Sequence, residues 1–146
     1  MFEAQTEWIS PESFPDLKDH KYIAIDLETR DPGLKSKGSG ALVNEGEIIG
    51  IAVAVEGWSG YYSFGHKEGN FFDESAVMNW IKDVCALPCV KLFHNAMYDV
   101  CWLRAYGVQI NGHIVDTMVM ASLVDENRLW YSLNSLSMDY LGQIKD

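Results

Sequence analysis

Basic residues are scarce in this chain: eleven Lys and Arg stand against twenty-one Asp and Glu among 146 residues, a formal charge of −10. A broad grip on duplex DNA needs a basic face, and this composition argues against one. It leaves room for a site that holds a few nucleotides through metal ions, because such a site is itself acidic. Cysteines number only three and show no framework spacing, which points to a reducing, intracellular compartment. No apolar run is long enough to span a bilayer, so no membrane partner is expected. The opening stretch MFEAQTEWIS is acidic and lacks the basic start and apolar middle of a signal peptide. There is no internal repeat and no low-complexity segment. What is present is apolar: 48% of the residues, enough for the core of one ordinary domain.

Residues 1–20 carry two prolines and scattered acids, and read as an N-terminal arm packed through Trp8, Ile9, Phe14 and Leu17. In KYIAIDLE, alternation sets Ile23, Ile25 and Leu27 on one strand face and Tyr22, Ala24, Asp26 and Glu28 on the other. Residues 30–46 read as a Gly-rich loop. EIIGIAVAVEG and GYYSFG are two further strands, with Gly57-Trp58-Ser59-Gly60 as a hairpin connection. DESAVMNWIKDVCAL has helical apolar spacing at 76, 77, 80, 81 and 84. CVKLFHN is a fourth strand, after which Asn95 caps the helix AMYDVCWLRAYG, ended by Gly107. HIVD is a short fifth strand and Asp116 caps the helix TMVMASLV. The last helix, SLNSLSMDYLG, places Leu133, Leu136, Tyr140 and Leu141 on one stripe. Short links make the first three strands antiparallel. Intervening helices make the later ones parallel. The expected fold is an α/β mixed five-stranded sheet flanked by helices.

Two acids one residue apart on a strand share a face and lie about 7 Å apart. Asp26 and Glu28 therefore repel each other unless something positive sits between them, and a divalent cation with oxygen ligands is one solution. A solvated strand end is the other. With eleven Asp and ten Glu, roughly one Asp-x-Glu arises by chance. Asp99 lies one helical turn beyond Asn95, on the same face. With strand four beside strand one, this helix N-terminus lies near the carboxyl end of strand one, where ligands collect in such sheets. Asp99 would then converge on Asp26 and Glu28, although taken alone it is more simply explained as complementing the helix dipole.

AIDLETR, HNAMYDVCWL, VDTMVMASLV and LNSLSMDYLG, in this order and spacing, resemble the 3′–5′ exonuclease domain of family A DNA polymerases. The similarity runs from about residue 20 to 142. The loop DPGLKSKGSG followed by EIIGIAVAVEG and GYYSFGH is most like the phage-encoded members. The resemblance implies a ribonuclease H-like fold of the DEDD exonuclease superfamily over residues 21–146. It implies a proofreading module that trims the 3′ end of single-stranded DNA, working beside a polymerase domain in the cytoplasm of a bacterial host. It also implies two divalent cations, Mg²⁺ or Mn²⁺, about 4 Å apart.

Residue by residue, Asp26 matches the acid bridging both ions, Glu28 the ligand of the water-activating ion, and Asp99 the acid holding the second. Thr29 matches the position whose backbone contacts the terminal 3′ hydroxyl. Asn95 and Tyr98 match positions near the substrate backbone. Leu34 falls where the family has an apolar wedge against the last bases, on a loop of different length. Arg30, Lys35 and Lys37 give that loop a local positive balance, suited to phosphate or simply to solvent.

The family's third motif is a Tyr or His followed four residues later by Asp. At that spacing Tyr131 meets Ser135 and Tyr140 meets Ile144, while Asp125, Asp139 and Asp146 lack the partner. The expected fold is thus incomplete at its C-terminal side, with one ion bound rather than two and much reduced hydrolysis by the isolated chain. A fragment of a longer polymerase, a split enzyme whose second polypeptide supplies the motif, and a non-catalytic nucleic-acid- or polymerase-binding module all remain open, as does an RNA exonuclease of the RNase D kind. His94 and His66 could face substrate or serve the fold. Trp80 and Trp102 read as core, Trp58 and Trp130 lie near turns, and Cys85 and Cys89 fit packing better than zinc.

Overall fold

The computed structural model describes residues 10–143, so Trp8, Ile9, Ile144 and Asp146 lie outside the described residues. Its centre is strand β1 (Tyr22–Arg30), where β-branched and leucine side chains alternate with small or acidic ones. Ile23, Ile25 and Leu27 are buried, as the alternation predicts. β2 (Glu47–Val55) pairs with β1 and with β3 (Trp58–Ser63), both antiparallel. β4 (Val90–Phe93) and β5 (Ile114–Asp116) extend the other side in parallel, giving the order β3-β2-β1-β4-β5.

The hairpin is tighter than the sequence suggests. Val55 already pairs with Trp58, and Ser59 and Gly60 lie inside the ladder. Only Glu56 and Gly57 turn, and Gly57 supplies the positive φ of 81° that such a turn needs. A register shift between Glu28 and Thr29 passes over Ile49, so Ile48 and Ile51 both point inward although three residues apart.

The stretch expected to be loop contains two single helical turns, α1 (Leu34–Lys37) and α2 (Gly40–Val43). Asp31 explains the tie between them and the sheet: its Oδ2 accepts from the Gly40 N–H at 2.9 Å. α3 (Glu74–Ala86) is capped by Asp73, whose carboxylate accepts from the Ala76 N–H. α3 buries Val77, Met78, Ile81, Val84 and Cys85, so its core stripe is rotated from the expected one and Ala76 faces out. α4 (Ala96–Ala105) adds Val100, Trp102 and Leu103 to the same core. Each fully buried aliphatic side chain there contributes about 1.5–3 kcal/mol. Phe14 keeps its ring 5.2 Å from that of Tyr62 while Leu17 is buried.

α5 (Thr117–Val124) and α6 (Leu133–Leu141) each bury a single residue. Of the expected α6 stripe Leu136 is buried, but Tyr140 and Leu141 are exposed. Within α5 only Ala121 is buried, while Leu123 and Val124 face outward.

Candidate active site

The acids of β1 sit at the carboxyl half of the central strand, on the face opposite Ile25 and Leu27. Asp26 lies opposite Ala52 and Glu28 opposite Gly50, so two very small residues on β2 leave open space beside the carboxylates. That space is filled from β3. Tyr61 is in register with Ala52, and its hydroxyl reaches over Gly50: a Cβ on Gly50 would lie 2.0 Å from that oxygen. Burial, then the Glu28 and Asp26 charges, push the Tyr61 phenol up to about 12, so it stays protonated at neutral pH. Its hydroxyl lies 2.5 Å from His66 Nε2.

The first turn of α4 closes the end of β1. The Tyr98 hydroxyl lies 2.6 Å from Thr29 Oγ1 and donates to Asp31 Oδ2 at 3.1 Å. Asp99, the next residue, is 4% exposed. The helix N-terminus thus stands at the carboxyl end of the central strand.

Asn95 occupies the cap position, but not as a side-chain cap. It adopts a left-handed conformation, φ 68°, and its side chain makes no capping bond. The free N–H groups are taken instead by Asp116 of β5, whose carboxylate accepts from Asn95 N at 3.0 Å and Ala96 N at 2.8 Å. The same carboxylate accepts from Met118 N and Val119 N at the start of α5. Burial raises the Asp116 pKa, but the four backbone N–H bonds outweigh it and hold the carboxyl below its ordinary value.

Other candidates resolve differently. Leu34 opens α1 and is 44% exposed. Arg30 pairs with Glu47 and Lys37 with Glu45, so two of the loop's three cations are engaged within the fold. His94 serves the fold with both ring nitrogens, through Thr117 Oγ1 and the Tyr131 carbonyl, each at 2.9 Å. Trp102 is buried and the Trp80 indole donates to the Pro15 carbonyl. Cys85 is buried, which pushes its thiol up to about 11, and all three cysteines are free thiols.

The donor chemistry of Asp26, Glu28 and Asp99, carboxylate oxygens alone, suits a hard divalent ion. Among the described residues no three His, Cys, Asp or Glu side chains stand together as a ready-made metal cage. The three acids are therefore candidates by chemistry and by element placement. Sequence reasoning missed the Tyr61–His66 pair, the Asp31 junction and the reach of Asp116 to α4.

An α/β domain with a 3-2-1-4-5 mixed sheet, acids on its central strand and a helix N-terminus at that strand's end has the ribonuclease H-like exonuclease fold. A model of the 3′–5′ exonuclease family matches residues 4–146, and the chain belongs to that family. It is 30% identical over 136 residues to a DNA polymerase, DpoZ, of Acinetobacter phage SH-Ab 15497, a match covering 92% of this chain and 19% of the relative. The chain thus spans about a fifth of the length of the curated phage polymerases it matches. Among solved structures, Brucella melitensis NrnC with bound Mg²⁺ superposes with a TM-score of 0.64 at 15% identity, covering 90% of this chain and 60% of that one. Escherichia coli RNase D, an exoribonuclease, gives 0.60 at 16% identity, covering 89% and 30%.

Proposed function

We propose that this chain is a metal-dependent 3′–5′ exonuclease module that acts on single-stranded DNA ends, as the proofreading part of a phage-type polymerase inside the host cell. The observation that carries this reading is the placement of Asp26 and Glu28 on one face of the central strand, with Asp99 in the first turn of the helix that Tyr98 ties to Thr29. Asp26, Glu28 and Asp99 would hold Mg²⁺ or Mn²⁺, which when bound supplies Lewis acidity to the attacking water and the leaving 3′ oxygen.

The chain's own residues then position the substrate. Thr29 and Tyr98, joined by their hydroxyls, form a fixed rim at which the terminal nucleotide is received. Leu34, exposed at the start of α1, is an apolar contact for the last base. Asn95, left-handed at the start of α4, offers its side chain as a hydrogen-bonding contact to the substrate backbone. With so few basic residues, affinity for nucleic acid depends on the metal and on a few contacts, not on a basic field.

The family's third motif has no counterpart within these 146 residues, so slow hydrolysis by the isolated chain is expected. A 5′-labelled single-stranded DNA oligomer incubated with Mn²⁺ tests this. The expected result is weak shortening from the 3′ end that Asp26→Ala abolishes. Shortening that persists in Asp26→Ala would refute the assignment of the site. The likeness to RNase D supports a second reading, trimming of RNA ends; competition by unlabelled RNA and DNA oligomers of one sequence separates the two.

A further inference from the structure

Tyr61 occupies the same sheet face as Asp26, because Asp26, Ala52 and Tyr61 follow one another across three strands. The two intervening β2 residues on that face are Ala52 and Gly50. A larger residue at either would wall the tyrosine off from β1. With glycine at 50 the phenol reaches over β2, its oxygen occupying the place of a Gly50 side chain, at the strand position paired with Glu28.

The hydroxyl is also held from behind. His66 Nε2 stands 2.5 Å away, and the rings meet edge to face at 5.9 Å. His66 in turn is fixed by its backbone: its N–H donates to Asn70 Oδ1 and its carbonyl accepts from Asn70 Nδ2. The preceding residue, Gly65, accepts from Arg30 Nη2, the last residue of β1, and donates its N–H to the Ile49 carbonyl at the β2 bulge. The loop that carries His66 is therefore anchored to the strands that carry and flank the acids. A hydroxyl so placed can do for a metal-binding carboxylate what outer-shell partners do generally, which is to fix its orientation before the ion arrives.

The geometry points to Tyr61, held by His66, as a positioning residue for the Asp26–Glu28 carboxylate pair. This rests on the reading of those acids as metal ligands. Gly50 belongs to the same device, since its missing side chain is what lets the phenol through.

Mn²⁺ binding to the full chain, followed by electron paramagnetic resonance of the free ion, tests this without relying on turnover. Wild type is compared with Tyr61→Phe, His66→Ala, His66→Gln, Gly50→Ala and Asp26→Ala, each with a thermal melt. Tyr61→Phe is expected to weaken Mn²⁺ binding roughly tenfold, the usual cost of losing an outer-shell partner. Its melt should stay near wild type, because the ring is retained. Gly50→Ala, which displaces the phenol, is expected to reproduce that loss. His66→Gln should restore most of what His66→Ala loses. Equal binding by Tyr61→Phe and wild type, with Asp26→Ala defective, overturns the inference and leaves the metal site standing. Binding that Asp26→Ala does not change overturns the metal site itself, and the role of Tyr61 with it.

Discussion

One carboxylate, Asp116, satisfies the N-termini of two helices, and that is why the α4 end that carries Tyr98 and Asp99 has a fixed place. A single cap contributes about 1 kcal/mol. Asp116→Ala is therefore expected to cost about 2 kcal/mol in urea unfolding, where a surface aspartate would cost almost nothing. Because the folded carboxyl has a lowered pKa, its charge stabilises the fold above the unfolded value near 3.8 and ceases to as pH falls through the folded one. The difference between wild type and Asp116→Asn should accordingly shrink on acidification below that value. A constant difference from neutral to strongly acid pH would contradict the double cap. The local half of this role is legible in the sequence, since Asp116-Thr117 before an apolar helix is a cap signal. The distant half is not, because nothing in Asn95 or Ala96 announces an acceptor twenty residues on. Asp26 and Glu28 were readable for the opposite reason: a period of two places both on one face whatever the rest of the chain does. Tyr61 sits in a strand like any other sheet aromatic, and only the sheet register shows what its hydroxyl reaches.

At the scale of elements, hydrophobic period and intervening helices gave the five strands, their directions and the neighbourhood of β1 and β4. Glycine misled twice. Gly60 looked like a turn residue but is a ladder residue, and the glycines of 33–40 hid two helical turns. Lys91 was also invisible. It is fully buried on β4, with Nζ donating to the carbonyls of Leu87, Cys89 and Asn111. These carbonyls follow α3 and precede β5, so one ammonium joins the end of a helix to both parallel strands. Lys91→Met keeps the stem but leaves three acceptors without that donor. A loss of about 2–4 kcal/mol is expected in chemical denaturation, with far-ultraviolet circular dichroism at zero denaturant unchanged. A variant as stable as wild type would mean that water replaces the ammonium there.

The molecule as a whole divides into a well-packed sheet with α3 and α4, and a more open pair, α5 and α6, whose apolar side chains face outward. The acids, the Tyr98–Thr29 junction and the Tyr61–His66 pair all belong to the packed part. Site order is therefore a property of the sheet and the first turn of α4, and metal binding by β1 is its deciding property. Crystals of the chain grown with Mn²⁺, measured at the manganese absorption edge, decide this most directly. An anomalous peak is expected between the Asp26 and Glu28 carboxylates. Manganese held elsewhere on the molecule, with those two side chains bare, would contradict it.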